Sequence, residues 1–341
     1  MPNPDLALEN YHILTGTHQS EISQSHNTSI RTYEDMQWFV KKLDHTQPKE
    51  NYYIGISEVI AQEFFRFMLP EHQPQTRLLM SNSGEYYVAS SAVKNFKPLQ
   101  SPVSTMRYFG DILIHALVLN EIDLKPGNVG IVEENGETHA VKIDGDWCFA
   151  KLRRLRDMQM LGIQLKDEDM KEVSSSFGIT NEDIALLPCL TLSRYECMTN
   201  WLDIVVSSKI SMTNHKQPST QSLHDNPQFR RAVHCAMLKW FMLPEDFIQS
   251  FINSIDVPSF EGDMKLRDNI RNELRTELTT RIGLLRQAAL ENDSFKEYLS
   301  SSEANDDYTN FDTHLQKYNT APRALQELKT EFIPITDSRG L

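Results

Sequence analysis

Asp123-Leu124-Lys125-Pro126-Gly127-Asn128 decides the fold, together with Val141-Lys142-Ile143-Asp144-Gly145-Asp146-Trp147-Cys148-Phe149 just after it. The first stretch puts an aspartate, a lysine and an asparagine into one turn-forming hexapeptide. The second is a strand-like apolar run that ends on an aspartate. Between them, Val129 to Val132 and His139 to Ile143 read as paired strands around the turn Glu134-Asn135-Gly136. Before them, Met106 to Leu119 reads as an apolar helix that leads straight into Asp123.

Further upstream, Met36 to Leu43 has the aromatic and branched content of a strand. Residues 44–52 are polar, contain Pro48 and read as a loop. Ser57 is a good N-cap, which predicts a helix over Val59 to Leu69 that Pro70 stops. Thr76 to Met80 and Glu85 to Ala89 flank the turn-rich Ser81-Asn82-Ser83-Gly84 and suit a hairpin. Residues 1–32 are an arm or irregular strands. Downstream of residue 151 the pattern is mostly helical. Residues 211–227, with Pro218 and Pro227, read as a loop, and 228–255 as helix. Met264 to Leu290 is a long amphipathic helix, with Leu266, Ile270, Leu274, Leu278, Ile282 and Leu285 at helical spacing. The tail after Asn292 is polar and partly ordered. The expected fold class is therefore α+β in two lobes. A small β-rich lobe covers residues 1–90, and a larger helical one with a C-terminal helical extension covers 91–341, with the cleft between them.

Phosphoryl transfer requires metal ions, a cation to position the phosphates and an acceptor for the substrate hydroxyl proton. The Asp123 loop resembles the protein-kinase pattern His-Arg-Asp-Leu-Lys-Pro-x-Asn and matches it from the aspartate onward. Glu121-Ile122 stand where His-Arg would be, so the usual pairing with a phosphorylated activation loop is not expected. Val141 to Phe149 resembles the Asp-Phe-Gly element, and more closely the Ile-Asp-x-Gly form of lipid-kinase-like relatives, though its order is Asp-Gly-Asp. The resemblance is to atypical members of the protein-kinase-like superfamily, and within it to effector kinases that intracellular bacteria deliver into host cells. It implies a bilobal protein-kinase-like fold, with Asp123 as proton acceptor and Lys125 at the γ-phosphate. Asn128 and Asp144 would be metal ligands in the nucleotide site, with Asp146 a second candidate ligand.

The small lobe should supply a lysine and a carboxylate. Strand alternation lets only one of Lys41 and Lys42 enter the cleft. Lys41 resembles the Val-Ala-Ile-Lys lysine, and Lys42 is the alternative. Glu58 is the preferred partner, with Glu63 the alternative. Kinases cover the phosphates with a glycine-rich loop, but Gly16 is the one glycine among the first 54 residues. Thr17 to Ser29 would have to cover ATP with hydroxyls and amides, and Ser90-Ser91 would form the hinge facing adenine.

Lys151, Arg153, Arg154 and Arg156 form a basic run in an acidic chain, where kinases keep their activation segment. It reads either as a solvated face or as a site for a polyanion, such as an inositol polyphosphate or a phosphoinositide headgroup. Arg267, Arg271 and Arg275 could join it, although Glu273 and Glu277 point to pairing along that helix. A formal net charge of −13 excludes a general nucleic-acid binder. Cys148, Cys189, Cys197 and Cys235 form no Cys-x-x-Cys pair, so no structural zinc is expected. His115 and His234 read as core residues. No Ser-His-Asp elbow and no His-Glu-x-x-His occurs.

No apolar run is long enough to span a bilayer, and the N-terminus lacks the features of a secretory signal. The expectation is a soluble, cytosolic protein, one that its relatives' route would deliver into a host cytosol. The resemblance implies an ATP-dependent Ser/Thr kinase with Mg²⁺ or Mn²⁺ and a protein substrate, in that case a host protein. The alternatives are a phosphoinositide or inositol phosphate kinase, transfer of AMP in place of phosphate, and a non-catalytic module.

Overall fold

The computed structural model describes residues 4–13, 28–69, 72–99, 106–124, 128–160, 162, 166, 177–187, 223–260 and 263–333. Lys125, Cys189, Cys197, Pro218 and most of the expected phosphate cover lie outside these residues.

Five strands form an antiparallel sheet: β1 (His12–Ile13), β2 (Thr28–Tyr33), β3 (Met36–Lys42), β4 (Thr76–Met80) and β5 (Tyr86–Ser91). Their spatial order is β1-β2-β3-β5-β4. Alternation along β3 sends Trp38 and Val40 to one face, where they pack with Leu8, Tyr11, Leu79 and Ala89. The other face carries Leu78, Tyr86 and Val88 into the main core. Lys41 lies opposite Val88 in the ladder.

Helix α1 (Pro48–Met68) covers that second face. It begins at Pro48 and not at Ser57. Proline suits the first helical position because its missing N–H would have no partner there, and Tyr52, Tyr53, Ile54 and Ile56 are buried along the added turns. Ser57 is no cap: inside the helix its hydroxyl donates to the Tyr53 carbonyl at 2.8 Å.

A second sheet, β6-β7-β8, comprises β6 (Lys97–Pro98), β7 (Val129–Glu134) and β8 (Glu137–Lys142). The turn joining β7 to β8 places Asn135 at φ 51° and Gly136 at φ 81°, the two positive values that a tight two-residue hairpin needs. Between β6 and β7 runs α2 (Phe109–Leu119), buried along its whole length. Asn120 follows in the left-handed region at φ 51°, a conformation asparagine tolerates, and turns the chain into the Asp123 loop.

The rest is helical: α3 (Ala150–Met160), α4 (Asn181–Leu186), α5 (Pro227–Met242), α6 (Glu245–Ser254), α7 (Met264–Leu290), α8 (Asp293–Ser300), α9 (Ser302–Gln316) and α10 (Leu325–Phe332). Pro244 divides the expected helix over 228–255 into α5 and α6. The tail is more ordered than its polarity suggests. Asn292 caps α8 through the Phe295 amide at 2.8 Å, and Ser301 caps α9 through the Ala304 amide at 3.3 Å.

Helix α7 has the expected amphipathic stripe, with Ile270, Leu274, Leu278 and Leu285 buried. Each is worth about 1.5–3 kcal/mol of burial. Its buried Arg281 donates to the carbonyls of Leu117, Val118 and Phe177. These include the last carbonyls of α2, which have no partners within that helix. Both sheets, with α1 and α2 between their strands, therefore precede an all-helical remainder in an α+β arrangement. No helix among the described residues is long and apolar enough to cross a membrane.

Candidate active site

Lys41 reaches out of β3 towards α1 and the end of β8. Its Nζ lies 2.8 Å from Glu58 Oε1, 3.3 Å from Asp144 Oδ1 and 3.6 Å from Asp146 Oδ2. Burial alone would depress this ammonium, but Asp144, Glu58 and Asp146 together hold its pKa well above the ordinary lysine value. Burial pushes Glu58 up to about 8; Asp144 and Asp146 add to the rise, and Lys41 opposes it. The two alternatives go elsewhere. Lys42, on the opposite face of the strand, pairs with exposed Glu85. Glu63 accepts the Thr76 amide at 2.8 Å and pairs with Arg66.

The Asp123 loop closes on the same place. Asp123 is fully buried. The Asn128 amide donates to its Oδ2 at 2.6 Å and to its carbonyl at 3.1 Å, so Asn128 orients this carboxylate. The Ile143 amide donates to the Asn128 carbonyl at 2.9 Å, which sets the loop beside the end of β8. As a result, carboxylate oxygens of Asp123, Asp144 and Asp146 lie within 4.8 Å of one another. Sequence reasoning assigned Asp123 to proton transfer and Asp144 and Asp146 to metal; the fold groups all three.

Gly145 explains the Asp-Gly-Asp order. A Cβ there would come within 2.9 Å of Gln62 Cγ and 3.5 Å of the Glu58 carbonyl. Helix α1 thus packs directly on the backbone between the two aspartates. Gln62 is buried, and among the described residues its amide finds no hydrogen-bond partner.

Sequence reasoning missed Glu121 and Lys142. Both side chains are wholly buried, and Lys142 Nζ lies 3.1 Å from Glu121 Oε2. Glu121 Oε1 accepts the Asp123 amide, and Oε2 accepts the Cys148 thiol at 3.1 Å. Burial opposes the charge on Lys142, yet Glu121 holds its pKa well above normal. The available signal was a lysine inside the apolar run of β8, next to the strand-ending aspartate.

The basic run does not form an open cationic pocket. Lys151 pairs with Glu277 and Arg156 with Glu273, at 2.8 and 2.7 Å. Arg156 also lies 3.5 Å over the Tyr53 ring. Arg153 donates to the Asp146 carbonyl and stacks on Trp147. Arg154 alone of the four is exposed. Helix α3 therefore uses its cations to dock on α7, and Asn120 Oδ1 accepts the Lys151 amide at its first turn. Glu273 and Glu277 thus pair with α3 and not along their own helix. Arg271 is likewise turned inward, donating to the Ile255 carbonyl.

No protein-family model matches the chain, and no curated protein matches it. Among solved structures, a Helicobacter pylori proinflammatory kinase, CtkA, is similar to it, with a TM-score of 0.43 and 13% sequence identity. That likeness covers 82% of this chain and 94% of the other. At this score the superposition carries no functional weight.

Proposed function

We propose that the chain is a phosphotransferase of kinase type, moving a phosphoryl group from ATP to a hydroxyl on a protein. The observation that carries this reading is the convergence of Asp123, Asp144 and Asp146 beside the Lys41–Glu58 pair. The donor set suits a hard divalent cation such as Mg²⁺ or Mn²⁺, which prefers oxygen ligands. The charges agree with this. Among the described residues, the linked groups comprise the carboxylates of Glu58, Glu121, Asp123, Asp144 and Asp146 against the ammonium groups of Lys41 and Lys142.

In this reading Asp144 and Asp146 hold the cation, with the Asn128 amide oxygen available as a further ligand. A bound cation would neutralise charge on the phosphates. Lys41, steadied by Glu58, positions the phosphates, and Lys125 meets the γ-phosphate. Asp123, oriented by Asn128, accepts the proton of the acceptor hydroxyl. Buried fixed charges suit this task because they need little reorganisation during the reaction.

The test is mass spectrometry of the chain and a generic protein acceptor after incubation with ATP and Mg²⁺. A phosphate adduct is expected, and Asp123→Asn should abolish it while leaving the melting temperature within a few degrees of wild type. An AMP adduct, or full phosphotransfer by the variant, would overturn the reading.

A further inference from the structure

Resting on that reading of the site, we propose that Glu121 and Lys142 are a positioning pair: they fix the backbone of Asp123 against the strand end that carries Asp144. Glu121 precedes Asp123 by two residues, and Lys142 precedes Asp144 by two. One carboxylate therefore ties together three points around the three-aspartate cluster. Its Oε1 holds the Asp123 amide; its Oε2 lies 3.1 Å from Lys142 and accepts the Cys148 thiol at 3.1 Å. Cys148 in turn follows Asp146 by two residues. Each metal-site aspartate thus has a neighbour, or its own amide, in contact with Glu121.

Stability gives no reason for this arrangement. A buried ion pair is commonly no better than well-packed apolar residues of the same volume, because desolvating both charges offsets their attraction. What apolar side chains cannot do is accept the Asp123 amide and hold a fixed distance to the next strand. Groups behind metal-binding carboxylates act in this way, and their loss weakens metal affinity by about 10- to 100-fold.

Two variants test the proposal. Glu121→Met/Lys142→Met removes both charges at similar volume. Glu121→Asp keeps the charge pair but shortens the reach by one methylene. For each, Mn²⁺ affinity is measured by electron paramagnetic resonance, alongside the melting temperature and the separate kcat and KM for ATP. The expected result is a melting temperature near wild type, Mn²⁺ affinity lower by about 10-fold or more, and a loss falling on kcat with KM for ATP little changed. Wild-type Mn²⁺ affinity and kcat in either folded variant overturn the positioning role alone. A wild-type chain that neither binds Mn²⁺ nor turns over ATP overturns the reading of the site, and this role with it.

Discussion

Lys41 and Glu58 meet at 2.8 Å in a space almost closed to solvent, their side chains 11% and 2% exposed. The contact joins β3 to the middle of α1, and Asp144 joins it at 3.3 Å. Any shift of α1 relative to the sheet therefore moves the lysine that faces the aspartates.

Lys41→Met should lower kcat by about 10²–10³-fold, the usual cost of losing one fixed donor in a reaction centre. The stability loss should be smaller than for an ordinary broken buried pair, which costs about 3–5 kcal/mol. Glu58, already pushed up to about 8, takes a proton instead of remaining a bare buried charge. Radiolabelled phosphate transfer and urea unfolding of the same variant measure both quantities. Unchanged turnover would remove Lys41 from the site.

Gly145→Ala should cost about 1–3 kcal/mol of stability through overpacking and should slow phosphotransfer as well. The added methyl would meet Gln62 Cγ at 2.9 Å, and the strain falls on the backbone between Asp144 and Asp146. Gln62→Ala opens the space, so the double variant should recover much of the melting temperature. The coupling between the two sites should reach about 0.5–3 kcal/mol, as for residues in direct contact. Strictly additive melting shifts would show that the two positions do not press on one another.

Stability should fall as pH drops below 6.5. Burial pushes the His234 pKa down to about 4, with Arg230 adding to the effect. His115, fully buried with its Nδ1 accepting the Trp240 indole at 2.9 Å, is driven well below normal by burial. A depressed histidine binds fewer protons folded than unfolded, so unfolding gains protons and stability rises with pH. For His234 that contribution is complete above about 6.5 and lost progressively towards 4, at about 1.4 kcal/mol per pH unit. Urea unfolding at pH 7, 6 and 5 should show a shallower loss for His234→Gln than for wild type. Parallel curves would exclude the histidine as the cause.

Local pattern made much of this fold legible. The α7 stripe was readable because Ile270, Leu274 and Leu278 recur at helical spacing on a polar background. The β7–β8 hairpin was readable because Asn135-Gly136 suits one turn geometry. Lys41 and Lys42 remained alternatives until the buried and exposed sides of β3 were known. The start of α1 was not legible. Tyr52 falls in the polar stretch read as a loop until distant chain covers it: its hydroxyl donates to the Pro258 carbonyl at 2.7 Å. The partners of the basic run were hidden in the same way. Glu273 and Glu277 look like partners for arginines on their own helix, and only packing of α3 against α7 reassigns them. Glu121 and Lys142 are a lone acid and a lone base in apolar surroundings, and periodicity says nothing about such a pairing.

Arg281 has a consequence for biosynthesis. It satisfies carbonyls at the end of α2 from 164 positions later in the chain. A ribosome has therefore exposed both halves of the aspartate cluster long before the residue that seals the helix leading into Asp123 emerges. Elongation proceeds at about 5–20 residues per second, so that interval lasts on the order of ten seconds or more. Through it, the end of α2 has its local Asn120 cap on the Ala116 and Leu117 carbonyls but not the second donor that Arg281 supplies. The Arg281 contact to α2 therefore forms only after α7 has been made.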